Sequence, residues 1–567
     1  MRDRNPARRI PGALLLLASL AACAPSGPSA TAPEPAPPPE AAPERLPYVP
    51  VSPALPPIPE ADGPLAIRVV HPTAGSPRPR VDSTYIYGSV GTGRAALDVN
   101  GTPVPVAPNG AFLAFLPLPA DGRWVLTARG TGEPVQATVA YAAPPPPRPA
   151  APARPDTMQA DTAQGDPAPA DSAAAPAAPP APAAPAFTPQ MATITGGDTL
   201  ATGSDVAIGR PTPTGTYRWF LPRGARVRVV ERRGEQLRVQ LDSAASAWFP
   251  AGSLALDGPA LPARAEIAGG AARLSVAPAA EWVELRFAVQ RAPFLVQAAE
   301  DRLTVTLYGR SAPAPSAAAP AGDPLLAGIS WRAGTPGRAE AEVRLARPLW
   351  GYKAFYTPDG TLVVRVRRPP AIDAAAPLRG VRVAVDPGHP PAGATGPTGL
   401  TEAEANLAIG TRLAERLRAR GAEVLLTRTA NVPVELGART DTAVAWDADL
   451  LVSVHNNAFG EGVNPFRNHS TAVYYFQPFS AALARELDRE IVGVTRIPDL
   501  GARQSNLALA RPTWMPTALT ESLFMLIPEQ EAALRDPGFL DRLADAHVRG
   551  IEAFLRSRAG AVGAGAR

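Results

Sequence analysis

The sequence is poor in cysteine and lysine, since Cys23 and Lys353 are the only examples in 567 residues. Without further cysteines, the chain lacks the thiolate ligands that structural zinc sites usually use. Scarce cysteine is typical of exported proteins, which cannot rely on reduced thiols. Blocks of like charge are also missing and the formal net charge is +4, so nothing in the sequence indicates nucleic-acid binding.

Long apolar runs are missing as well. The run at 13–22 is too short to span a bilayer, and no other run is long enough. It follows several arginines and ends in Leu20-Ala21-Ala22-Cys23, which resembles a bacterial lipoprotein signal with its lipobox. The resemblance implies cleavage before Cys23 and a lipid anchor on that residue. Ala24, where aspartate would favour retention, implies a periplasmic protein anchored to the outer membrane. The alternative is an ordinary secretory signal with an incidental cysteine.

Proline is abundant, with 71 residues, but it is clustered. Clustered proline and alanine indicate linkers between folded domains, because such stretches cannot bury a core. We therefore predict a multidomain chain. Its predicted parts are a signal peptide at 1–23, a disordered tether at 24–63, a β-sandwich-like domain at 64–142, a disordered linker at 143–189, an SH3-like β-domain at 190–257, a third β-domain at 258–370, a larger domain at 379–558 and a disordered tail at 559–567.

The larger domain shows a different periodicity from the β-domains. Apolar runs typical of buried strands alternate there with amphipathic stretches typical of helices. This alternation predicts an α/β domain, a mixed sheet with helices on both faces. The predicted strands are 381–385, 424–427, 450–454, 471–476, 507–510 and 517–520, and the predicted helices are 402–420, 436–446, 480–494 and 539–556.

Two of the five histidines follow predicted strands of this sheet. His389 comes shortly after the strand at 381–385, and His455 directly follows the strand at 450–454. Ligands of open α/β sheets sit beyond the carboxyl ends of the strands, so both imidazoles are expected in one crevice. The other three histidines are expected to be surface or structural residues. They are His71, His469 and His547.

A carboxylate between these histidines completes a candidate metal site. Thr401 and Glu404 fit a capping box at the start of the helix, which leaves Glu402 as the freer carboxylate. Two imidazoles and one carboxylate, with a fourth position open to water, form a typical catalytic zinc set. His389, Glu402 and His455 are therefore the predicted zinc ligands.

Glu521 is the candidate for proton transfer. It follows the apolar stretch 515–519, at the end of another predicted strand. A carboxylate at that place could take a proton from an activated water and pass it to a leaving amine. The alternative is a structural glutamate in a salt bridge.

Five sequence blocks resemble, in order, the zinc-dependent N-acetylmuramoyl-L-alanine amidases of the type-3 amidase family. The blocks are Asp386-Pro387-Gly388-His389, Gly399-Leu400-Thr401-Glu402 with Asn406, Leu426-Thr427-Arg428-Thr429 with Arg439, the run 448–457 and the run 515–521. The resemblance implies zinc on His389, Glu402 and His455 and a catalytic role for Glu521. It also implies hydrolysis of the peptidoglycan amide that joins N-acetylmuramic acid to L-alanine. The β-domain at 258–370 is vaguely similar to the wall-targeting domains that precede such amidases, although all three β-domains could be spacers.

The sequence departs from the family pattern at two places. Pro390 and Pro391 stand where the family usually has two glycines, and Ser522-Leu523-Phe524 stands where a Gly-Phe pair is common. Prolines remove backbone donors and stiffen the loop, which could alter how substrate approaches. Some relatives carry a long inhibitory helix, and the chain between 494 and 507 has no room for one, so we expect no autoinhibition of that kind. Two alternatives stay open: a non-catalytic peptidoglycan-binding lipoprotein, and a zinc peptidase that cuts within the stem peptide.

Overall fold

A computed structural model describes residues 45–142, 187–197, 206–260, 270–313, 323–333 and 337–563. The predicted signal peptide with Cys23, the tether up to residue 44 and the linker up to residue 186 lie outside these ranges. Within them, no helix combines the length and the apolar character that crossing a bilayer requires.

The first folded segment is a β-domain of two antiparallel sheets, ordered β1-β2-β5 and β4-β3-β6-β7. Ile86, Phe112 and Trp124 are fully buried between them. The turn at Asn100 and Gly101 joins β3 to β4, and both residues have positive φ, as a tight hairpin requires. The strands are β1 (Arg68–His71), β2 (Ser83–Ser89), β3 (Ala96–Val99), β4 (Thr102–Val104), β5 (Ala111–Pro117), β6 (Arg123–Arg129) and β7 (Val135–Ala140).

The strands of the next two segments also pair antiparallel. The first pairs its strands as β13-β12-β11-β8-β14 and β10-β9. Its strands are β8 (Gln190–Ile194), β9 (Val206–Gly209), β10 (Trp219–Pro222), β11 (Arg226–Arg233), β12 (Gln236–Gln240), β13 (Ser246–Pro250) and β14 (Leu254–Ala260).

The second of these segments is a sandwich of two four-stranded sheets, ordered β15-β16-β22-β21 and β17-β18-β20-β19. Alternate residues of both sheets, such as Leu285 and Val305, share one core. The strands are β15 (Leu274–Pro278), β16 (Trp282–Phe287), β17 (Phe294–Ala298), β18 (Arg302–Tyr308), β19 (Leu326–Ala333), β20 (Arg338–Leu345), β21 (Gly351–Tyr356) and β22 (Leu362–Arg367).

The C-terminal domain contains a six-stranded sheet ordered β24-β23-β25-β28-β26-β27. β26 runs antiparallel to β28, whereas the other neighbouring strands are parallel, so the predicted mixed sheet is confirmed. The strands are β23 (Arg382–Pro387), β24 (Glu423–Leu426), β25 (Leu450–Asn457), β26 (Thr471–Tyr475), β27 (Asp499–Gln504) and β28 (Thr517–Phe524). The helices are α1 (Glu402–Ala419), α2 (Leu436–Ala445), α3 (Pro465–Asn468), α4 (Ala481–Thr495), α5 (Pro528–Ala533) and α6 (Pro537–Gly563).

Helices cover both faces of this sheet, as predicted. Val383 and Val385 point into a core shared with α1, α4 and α6. Ala384, between them, points to the opposite face and packs with Ala443 of α2. Because successive strand residues face opposite sides, burial on both sides explains why these strands are continuously apolar.

Several predicted boundaries in this domain are wrong. The strand predicted at 507–510 is a 3-10 turn at Ala508–Ala510, which is apolar because it packs into the core. The strand in this region is β27, whose exposed, polar sequence carries no alternating pattern because it lies at the sheet edge. β25 and β28 continue past their predicted ends, so His455 and Glu521 lie within strands. α6 continues past 558, into the predicted tail.

The tether predicted at 24–63 also extends too far, because its part from Arg45 onward packs against the C-terminal domain. Leu55 is 7% exposed and joins the main core. The backbone N–H of Ser52 donates to Glu529 Oε1 at 2.8 Å, and Gln530 Nε2 donates to the Ser52 hydroxyl at 2.9 Å. Contacts of single residues such as Ser52 and Leu55 hold this proline-rich segment against the domain, and the average composition of the segment does not predict such contacts.

Candidate metal centre

Register in the parallel sheet brings the two histidine-bearing segments together. Pro387 of β23 lies opposite Val454 of β25, so His389, two residues past β23, comes next to His455. The imidazole rings have centroids 5.0 Å apart and an interplanar angle of 80°. Gly388 permits this approach, because a Cβ there would lie 2.2 Å from His455 ring atoms. The expected crevice therefore forms at the carboxyl ends of the strands.

Glu402 enters the same crevice as the first residue of α1. The predicted capping box is confirmed: the Glu404 N–H donates to Thr401 Oγ1 at 3.3 Å, and the Thr401 N–H donates to Glu404 Oε2 at 3.0 Å. Glu404 thus caps the helix, and hydrogen bonds from Thr401 lower its pKa. Glu402 is left to face the histidines.

The three predicted ligands converge through one atom each. Glu402 Oε1 lies 3.3 Å from His389 Nε2 and 3.2 Å from His455 Nδ1, and all three ligand atoms lie within 4.8 Å of one another. Burial would raise the pKa of Glu402, but hydrogen bonds and charges from both histidines outweigh it and hold that pKa below its ordinary value. Two imidazole nitrogens and a carboxylate oxygen are a donor set that suits Zn²⁺.

Neighbouring groups fix the orientation of the ligands. His389 Nδ1 lies 3.1 Å from the Pro391 carbonyl, so a hydrogen on Nδ1 leaves Nε2 as the ligand atom. The Ala394 N–H donates to Glu402 Oε2 at 3.1 Å, which holds the second carboxylate oxygen away from the histidines. This is the arrangement expected of ligands that are pre-oriented for a metal.

Asn406 and Asn456 form an amide network around Glu402 that the sequence interpretation missed. Asn406 Nδ2 donates to Glu402 Oε1 and to the Gly388 carbonyl, both at 3.2 Å. Asn456 Nδ2 donates to Asn406 Oδ1 at 2.9 Å. The spacing of four residues between Glu402 and Asn406 places both on one helix face, which is the signal that could have revealed the contact.

A buried ion pair supports the loop that carries His389, and it too was missed. Arg439 Nη1 lies 3.0 Å from Asp386 Oδ1, and Nη2 of the same guanidinium donates to the carbonyls of His389 and Pro390 at 3.1 and 2.7 Å. Arg428 donates to the Pro387 and Gly388 carbonyls at 2.7 and 2.9 Å. These arginines together supply donors to four consecutive carbonyls, from Pro387 to Pro390.

Glu521 lies in β28 directly opposite His455 in the parallel register. Its Oε2 atom is buried and has no hydrogen-bond partner in the described part of the chain. Glu521 forms no ion pair with any described residue, which argues against the salt-bridge alternative. Burial raises the pKa of Glu521 well above its ordinary value, and the charge of Glu402 acts in the same direction. The side chain is therefore suited to holding a proton beside His455, a predicted metal ligand.

The other three histidines lie apart from this cluster. His71, in β1 of the first β-domain, has its Nε2 atom 3.0 Å from Oε1 of Glu461, which belongs to the C-terminal domain. His469 is buried with Nδ1 3.1 Å from the Pro465 carbonyl. His547 is buried in α6, with Nε2 3.1 Å from Thr520 Oγ1, and burial lowers its pKa to about 4. Structural roles fit all three.

Comparison with known proteins identifies relatives of the C-terminal domain. The sequence model of the family described as N-acetylmuramoyl-L-alanine amidase matches residues 383–553. The sporulation-specific N-acetylmuramoyl-L-alanine amidase of Bacillus subtilis is 30% identical over 181 residues, which are 30% of this chain and 67% of that protein. The N-acetylmuramoyl-L-alanine amidase LytC of Bacillus subtilis is 28% identical, but the match spans only 36% of its length.

Solved structures match over the same third of the chain. The catalytic domain of CwlV, an N-acetylmuramoyl-L-alanine amidase from Bacillus (Paenibacillus) polymyxa var. colistinus, is 30% identical, covers 31% of this chain and 98% of its own, and has a TM-score of 0.29. The chain belongs to the N-acetylmuramoyl-L-alanine amidase family.

Proposed function

We propose that the protein is a zinc-dependent peptidoglycan hydrolase that cleaves the amide between N-acetylmuramic acid and L-alanine. The observation that carries the proposal is the convergence of His389, Glu402 and His455 on one point beside Glu521. Membership of the amidase family supports the choice of bond.

His389, Glu402 and His455 would hold the zinc ion. When bound, zinc polarises a substrate carbonyl and makes water more acidic. Glu521 then has two successive tasks: it accepts a proton from the attacking water and passes it to the amine of L-alanine as the amide breaks. Water adds across the amide, so the products are a free carboxylic acid on the sugar and a free amino terminus on the peptide.

The experiment combines metal analysis with wall digestion followed by mass spectrometry. Glu521→Gln should retain zinc and lose cleavage, because it keeps the ligands and removes the proton acceptor. His389→Ala should lose both zinc and cleavage. Glu423→Gln, which changes an exposed carboxylate of the same domain, should lose neither. New amino termini on D-amino acids or diaminopimelate would identify the competing stem-peptide peptidase, and intact wall after incubation with zinc-loaded protein would favour the non-catalytic binding module.

We also propose that Cys23 carries the lipid anchor, with the protein in the periplasm at the outer membrane. The apolar run before Cys23 and the small residues around it support this assignment. Cys23→Ala should move the full chain from the membrane fraction to the soluble fraction. A chain that fractionates identically with and without the cysteine would contradict the anchor.

A further inference from the structure

The first β-domain docks against both loops that follow the metal ligands. The Tyr87 hydroxyl donates to the Thr395 carbonyl at 3.0 Å, in the loop between His389 and Glu402. The Tyr85 hydroxyl donates to the Phe459 carbonyl, in the loop that follows His455. Strand β2 of this domain therefore contacts the loop that follows His389 and the loop that follows His455.

An apolar cluster and an ion pair hold this contact in place. Tyr85, Tyr87 and Leu113 of the β-domain are buried against side chains of the C-terminal domain, namely Phe524, Leu526 and Ile527. Glu461 accepts a hydrogen bond from the Thr84 hydroxyl and lies 3.0 Å from His71 Nε2. Buried aromatic surface of this kind fixes the position of the β-domain relative to the metal loops. The β-domain is therefore packed firmly against the C-terminal domain.

Arg68 is the charged residue that this docking brings to the site. Its side chain lies over Gly399, where a Cβ would stand 2.6 Å from Nη1 and 3.2 Å from Nη2. Gly399 has a φ of +96° and comes three residues before Glu402, in the loop that joins His389 to Glu402. The positive φ favours glycine at this position, and a side chain there would displace the Arg68 guanidinium.

The guanidinium of Arg68 has no acidic partner among the residues that the structure describes. Arg68 is exposed, and none of the ion pairs found within those ranges includes it. A guanidinium presents paired N–H donors that match a carboxylate in two parallel hydrogen bonds. An unpaired arginine beside the loop that joins His389 to Glu402 suits a substrate that brings its own carboxylate.

We propose that the first β-domain forms one wall of the substrate cleft and that Arg68 binds a free carboxylate of the stem peptide. The inference rests on the proposed function, because the peptide beyond the cleaved amide is the part of the substrate that carries carboxylates. Arg68 takes no part in bond breaking and acts on substrate binding alone. It would make this enzyme select acidic over amidated peptides.

The test compares Arg68→Gln with wild type in the full chain on two muropeptides, one with free peptide carboxylates and one with those carboxylates amidated. For the free acid, KM should rise about tenfold, as expected for a lost charge-assisted contact, with kcat changed less than about twofold. For the amidated substrate, wild type and Arg68→Gln should have the same KM. Arg68→Lys keeps the positive charge but lacks the paired N–H donors of the guanidinium, so its KM for the free acid should lie between those of wild type and Arg68→Gln.

Arg123→Gln is the matched control, because Arg123 is an exposed arginine of the same β-domain on the other sheet. It should leave both KM values unchanged. An equal KM of wild type and Arg68→Gln on the free acid, or an equal rise on both substrates, would overturn the proposal for Arg68. A wild-type enzyme that cleaves neither muropeptide would instead overturn the proposed function.

Discussion

Arg439 and Asp386 form an ion pair at 3.0 Å whose two side chains are 2% and 0% exposed. Burial alone would raise the pKa of Asp386, but the charge of Arg439 and hydrogen bonds from Thr427 and Ser453 hold it below its ordinary value. The same guanidinium holds carbonyls on both sides of His389. One buried pair therefore links the stability of the domain to the position of His389, a predicted metal ligand.

Replacing Arg439 should show this link directly. Arg439→Met leaves the Asp386 carboxylate buried without its partner, and the free energy of unfolding should fall by about 3–5 kcal/mol. Arg412→Met breaks a partly exposed pair with Asp541 at 3.1 Å and should cost less than about 1 kcal/mol. Denaturant unfolding of both variants measures the difference. An equal fall in the free energy of unfolding for both variants would mean that the buried pair stabilises the domain no more than the partly exposed one.

Asn406 is predicted to set the affinity for zinc. Asn406→Ala removes the donor to Glu402 Oε1 and leaves all three ligands in place. Loss of such an outer contact typically weakens metal binding about 10- to 100-fold. Competition with a chelating dye measures the zinc Kd, and Asn468→Ala, an exposed amide at the end of α3, is the control. An unchanged Kd for Asn406→Ala would show that Glu402 needs no support from the amide.

The sequence predicts those site residues whose role follows from local structure, and it does not predict those whose role depends on tertiary contacts. His389 and His455 were found from strand ends, and Glu402 was separated from Glu404 by the capping box, because these signals are local in sequence. Asn406 and Arg439 were not given roles, since a polar residue becomes a supporting donor only when the tertiary fold buries it. β27 was missed for a related reason: an exposed edge strand needs only backbone pairing and carries no apolar pattern.

The segment before the first β-domain is predicted to contribute to stability, although its composition suggested a tether. Leu55 is 7% exposed in the main core, so Leu55→Ala should lower the free energy of unfolding by about 2–5 kcal/mol. Leu46→Ala, at a leucine that is 38% exposed, should change it by less than about 0.5 kcal/mol. Thermal or denaturant unfolding distinguishes the two. Similar small effects would indicate that the segment is bound only loosely.

Asp488 is predicted to make stability fall as pH rises. Burial, reinforced by the charge of Asp499, raises the pKa of Asp488 to about 7 from an ordinary 3.8. The folded protein therefore holds a proton that the unfolded chain releases above about pH 4, so its stabilising effect is complete below that pH and is lost progressively up to about pH 7.

Asp488→Asn removes this titration and should therefore stabilise the protein by roughly 1–3 kcal/mol at pH 8. At pH 3.5 the gain should vanish, because both states of the wild type are then protonated. Urea unfolding of wild type and variant across this range gives the two curves, and Glu415→Gln, an exposed carboxylate on α1, should shift neither end. If Asp488→Asn stabilises the protein equally at pH 3.5 and pH 8, the asparagine acts through packing. The charges of Asp488 in α4 and Asp499 in β27 would then not destabilise the folded protein.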